Sequence, residues 1–94
     1  MTRQYLAGEL SWLLWQVQAV ATDQAIAGDV ARLRREAETV PVDALNSVAV
    51  RAIRLTDVLC WDSVSRGDVT AFNRQAAASA DLYEFGVCAG LLVD

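Results

Sequence analysis

The sequence predicts an all-α fold, a compact antiparallel four-helix bundle built from two helical hairpins. Apolar residues recur at spacings of three and four in four segments, and no segment alternates apolar and polar residues for long. Alanine abounds, and the one proline, Pro41, stands at a segment boundary. With 94 residues, 54% of them apolar, the chain can bury a core without metal or disulfide staples, and residues 1–94 read as a single domain.

The first helix is expected over residues 2–22, with Leu6, Leu10, Leu13, Val17 and Val20 stacked on one side as a core stripe. In the second, Ile26, Val30, Leu33, Ala37 and Val40 repeat the spacing, and Thr22 or Asp23 is placed to cap its start. Pro41 opens the third, whose inner side carries Leu45, Val48, Ala49, Ala52, Leu55 and Leu59. Gly67 ends that helix and Asp68 caps the fourth at once, giving a tight hairpin of two helices about twenty-five residues long each. Along the fourth helix Phe72, Ala76, Tyr83, Val87 and Gly90 share a side, and the pair Gly86 and Gly90 would admit a neighbouring helix closely.

One internal echo leaves a boundary open. Residues 28–37 resemble residues 67–76, each beginning Gly-Asp-Val, so the first turn falls either near Asp23 or at Gly28. A single hairpin resembles a tetratricopeptide unit in outline, but that family's tryptophan, tyrosine and proline positions are not reproduced, and no family is assigned.

The chain lacks histidine and lysine, which removes the commonest general base, metal ligand and Schiff-base nucleophile together. A non-enzymatic protein with no cofactor and no metal site is the expectation. All eight basic residues are arginine and the net charge is −4, so nucleic acid is not an expected partner. Arg32, Arg34 and Arg35 form the basic cluster, and Arg32–Glu36 and Arg34–Glu38 pairs along the helix would turn it into a solvated face. Cys60 and Cys88 stand about 20 Å apart along the hairpin axis at 1.5 Å per residue, too far for a disulfide, so both are expected as free thiols. The apolar run from Leu10 to Val20 loosely imitates a secretion signal, but Glu9, Gln16 and Gln18 interrupt it and it is too short to span a bilayer, so a cytoplasmic protein is expected, with no membrane partner.

The first helix carries a second apolar stripe of Tyr5, Gly8, Trp12, Trp15 and Ala19, centred about 200° from the leucines when projected at 100° per residue. One bundle interior cannot easily absorb both. On the third helix Arg54, Val58 and Trp61, with Val50, likewise lie away from Leu45, Ala52 and Leu59. Tryptophan, tyrosine and arginine are the residues over-represented at binding hot spots. Tyr5, Trp12, Trp15, Ala19, Arg54, Val58 and Trp61 are therefore the expected interface, covered by a homodimer mate or another protein. The bland alternative makes the first helix central, sandwiched on both sides by its own chain. Two rival functions are a thiol-based sensor or enzyme using Cys60 with Asp57 and Asp62, and a bundle enclosing a small apolar ligand.

Overall fold

The computed structural model describes residues 2–92. Thr2 accepts a hydrogen bond on its hydroxyl from the Tyr5 amide at 3.2 Å and starts α1, Arg3–Ala19. Asp23 does the same for α2, Gln24–Thr39, through the Ile26 amide at 3.1 Å. These caps satisfy amides that have no partner within their own helix. The first turn is thus at Val20–Asp23, and Gly28 lies inside α2, exposed and with nothing near its missing Cβ. The echo between residues 28–37 and 67–76 is not structural.

Pro41 begins the connection and not α3 itself: it precedes a short 3-10 turn, Val42–Ala44, which runs into α3, Leu45–Ser65. Gly67 then adopts φ +72°. Its amide reaches the Val64 carbonyl at 3.0 Å and the Asp68 amide reaches Ser63 at 2.9 Å, closing the left-handed helix terminus that glycine favours. Asp68 immediately caps α4, Val69–Cys88, through the Ala71 amide at 3.0 Å. The two helices are 21 and 20 residues long, shorter than the spacing suggested.

The helices run up, down, up and down. α1 packs on α2 and on α4, α3 packs on α4 and on α2, and α3 stands diagonally across from α1. The bundle measures 40 × 23 × 19 Å. Its core is built from Leu6, Leu10, Leu14 and Val17 of α1, Val30, Leu33 and Ala37 of α2, and Leu45, Val48, Ala49, Ala52 and Leu59 of α3. Leu13 and Val20, expected on the innermost stripe, pack at its margin. The inward face of α4 is Gln75, Ala78, Leu82 and Gly86, whereas Tyr83 and Val87 are exposed. Gly86 admits no neighbouring helix. The Leu92 side chain of the chain's own C-terminal turn lies where its Cβ would be, 2.5 Å from that position, and Gly90, with φ +72°, ends α4.

Gln75 joins the two hairpins. Its side-chain carbonyl accepts from the buried Ser63 hydroxyl at 2.6 Å, and its amide donates at 3.1 Å to the carbonyl of Val20, the residue that caps the C-terminus of α1. A buried amide with both ends satisfied fixes how one hairpin sits on the other. At the opposite end of α1, Arg3 donates through Nε to the Val40 carbonyl at 2.9 Å, placing a cation on the C-terminus of α2 where the helix dipole favours it.

Two stability experiments follow from these geometries. Gly67→Ala should cost about 1 kcal/mol because the alanine Cβ opposes a positive φ, while Gly28→Ala should gain about 0.5 to 1 kcal/mol in mid-helix; denaturant titration reads both, and a loss at Gly28 would restore it as a turn. Gln75→Ala should cost about 3 kcal/mol, since it opens a cavity and strands the Ser63 hydroxyl and the Val20 carbonyl.

Candidate functional site

α1 is apolar on two sides, and its core side is settled by the leucines. Placing Leu6, Leu10, Leu14 and Val17 inward turns Tyr5, Gly8, Trp12, Trp15 and Ala19 outward, and all five are exposed. Tyr5 is 53% accessible, Trp12 54% and Trp15 48%, so the chain's own helices leave about half of each ring open. The arrangement with α1 sandwiched inside the monomer is excluded. The two indoles, one turn apart, stack with centroids 5.7 Å apart and planes 7° from parallel. Stacking of this kind favours a single shared orientation for the pair.

Beside the indoles runs a shallow hollow formed by Gly8 and Ser11 of α1 and by Arg34, which crosses from α2. Arg34 donates through Nη1 to the Gln18 side chain at 2.9 Å, while its Nε is shut off from solvent without a hydrogen-bond acceptor. Ser11 in turn donates to Glu38 at 3.3 Å. The polar rim of the aromatic face is therefore contributed by both helices of the first hairpin, a division found at interfaces with an apolar centre.

The expected pairing within α2 is replaced by other partners. Arg32 pairs with Asp29 one turn back, and Glu36 takes a bidentate pair from Arg51 of α3, with both contacts at 3.0 Å. The Arg51 hydrogen bonds hold the Glu36 carboxyl below its ordinary pKa against the opposing effect of desolvation, and they raise Arg51 in return. Helical spacing cannot show this competition, because Arg51 arrives from another element.

On α3, Arg54, Val58 and Trp61 are exposed as well, Trp61 at 72%. Because α3 lies diagonal to α1, these residues face away from the Trp12–Trp15 pair. Trp61 instead walls a separate depression with Val64 and with Phe72 of α4. The seven residues thus divide into one coherent face on α1 and a second, distant group on α3.

With this geometry in place, comparison with protein-family models, with curated proteins and with solved structures finds no match to the chain. What the residues can do chemically rests on the site alone.

Cys60 borders the Trp61 depression, with Asp57 beside it. Partial burial pushes its thiol up in pKa, and the Asp57 charge pushes it further in the same direction. A nucleophilic or redox-sensing thiol needs the opposite shift. Cys60 and Cys88 are free thiols, and among the described residues no group of three or more histidine, cysteine or acidic side chains is placed to hold a metal ion. Among those residues, too, no helix is long and apolar enough to cross a membrane.

The Cys60 environment yields a kinetic expectation. Alkylation of Cys60 should run slower at neutral pH than that of an unstructured cysteine, with its rate–pH curve displaced upward. Asp57→Asn should bring the curve part of the way back. Rapid labelling at neutral pH would revive a sensor role.

Proposed function

We propose that this chain is a non-enzymatic interaction module whose aromatic face on α1 is covered by another protein surface, with a second copy in two-fold arrangement as the simplest partner. The stacked and half-open Trp12–Trp15 pair carries the reading. Each large aromatic buries about 150 to 250 Å² when covered, so leaving two indoles and Tyr5 half in water forgoes a substantial hydrophobic gain that association recovers. Rigid aromatic centres ringed by hydrogen-bonding side chains are the usual form of a binding hot spot. Here Ser11, Gln18, Arg34 and Glu38 supply that ring.

Two further observations favour a protein partner over a lipid surface or a reaction. Arg3, the one basic residue of α1, is committed to the carbonyls at the end of α2, and Arg34, the one cation beside the indoles, is partly buried and bonded to Gln18, so the aromatic face lacks the cluster of free cations that anionic lipid would attract. The cysteine with a nearby carboxylate is shifted away from reactivity.

Replacing Trp12 and Trp15 together by glutamine should abolish association, seen as a drop in solution mass by light scattering, while far-ultraviolet circular dichroism stays unchanged. Identical masses for the parent and the double variant would defeat the assignment of this face.

A further inference from the structure

The side of the bundle between α2 and α3 holds a groove of about 360 Å³, separate from the aromatic face. Its apolar wall is Leu33, which is buried, and Leu55, which is half-buried. Charged side chains from both helices form the rim, and their pairing leaves a remainder. The Asp29 carboxylate is held by Arg32, and both oxygens of Glu36 are held by Arg51. Arg54 is the third guanidinium on this rim, and among the described residues it makes neither an ion pair nor a side-chain hydrogen bond. Asp57, the next acid along α3, lies outside the groove lining and forms no ion pair with it.

An uncommitted guanidinium above an apolar wall fits a ligand with one negative end and one hydrophobic end. The planar fork of arginine matches a carboxylate through two parallel hydrogen bonds. With Asp29 and Glu36 balanced by Arg32 and Arg51, the rim is left with the one positive charge of Arg54, which matches a single negative charge better than a phosphate dianion. The volume lies at the lower end of the range for small-molecule sites, which limits the tail to a short one. We propose that the α2–α3 groove binds a small amphipathic monocarboxylate, with its carboxylate on Arg54 and its apolar tail along Leu33 and Leu55.

Titration of the full chain with octanoate, octanol and inorganic phosphate tests this, followed by calorimetry and by the methyl resonances of Leu33 and Leu55. Octanoate at millimolar concentration should bind and shift both leucines. Octanol should bind at least about tenfold more weakly, the worth of one charge-assisted hydrogen bond, and phosphate should leave both leucines unmoved. Arg54→Gln should weaken octanoate about tenfold without changing octanol binding or helicity. The Trp12→Gln, Trp15→Gln variant should bind octanoate as the parent does, which separates this groove from the association through α1. Equal affinity for octanoate and octanol overturns the proposal, as do phosphate shifts at the leucines, full octanoate affinity in Arg54→Gln, a loss in the tryptophan variant, or unmoved Leu33 and Leu55 methyls.

Discussion

A helix at the corner of a four-helix bundle has one arc to bury, and α1 carries apolar side chains on two. Leu6, Leu10, Leu14 and Val17 take the inward arc because they meet the leucines, valines and alanines of α2 and α3 there. Four aliphatic side chains at helical spacing fill a narrow interior more closely than two indoles could, since cores are packed to crystal-like density. Once that choice is made, the outward position of Tyr5, Trp12 and Trp15 is a matter of helix geometry. The tie between the hairpins and the proposed interface both depend on it.

Much of the architecture was legible from the residues. The Gly67–Asp68 turn could be read because it joins two independent signals, a left-handed terminus and an N-cap, with no room for another residue between them. The turn after α1 was ambiguous, because Asp23 and Gly28 each offer one signal. Asp23 prevails: its carboxylate satisfies an amide at the start of α2, while a glycine within a helix needs no turn to explain it. In α4 the side shared by Phe72, Ala76, Tyr83, Val87 and Gly90 is not the buried one, and an alanine-rich helix offers little contrast between its sides. Gln75, Ala78, Leu82 and Gly86 do follow spacings of three and four, but a glutamine in that series reads as outward until a partner for its amide is in view. The arginine–carboxylate pairs differ from the helical spacing for a related reason, as spacing describes neighbours along one helix and Arg51 comes from the next.

The candidate site was legible in its parts and not in its grouping. Each of the seven expected residues is exposed, as the projection of two helices implied. Their division into two faces depends on α3 standing diagonal to α1, a relation that no single helix encodes. The α2–α3 groove lay further from view. Its rim includes the Glu36–Arg51 pair that bridges those helices, and only the completed pairing shows that Arg54 is left over.

The ties at the two ends of α1 bear on how its middle can act. Arg3 fastens one end to the Val40 carbonyl, and Gln75 fastens the other through Val20. The stacked indoles sit on the stretch between these anchors, and each restrains the other's rotamers. A partner of the kind proposed would therefore meet a preorganised surface, and less of the ordering entropy of recognition would be left to lose on binding. Fast docking with little backbone adjustment is the kinetic character such a surface confers, and a partner's affinity should respond more to its fit against two fixed rings than to flexibility in this chain.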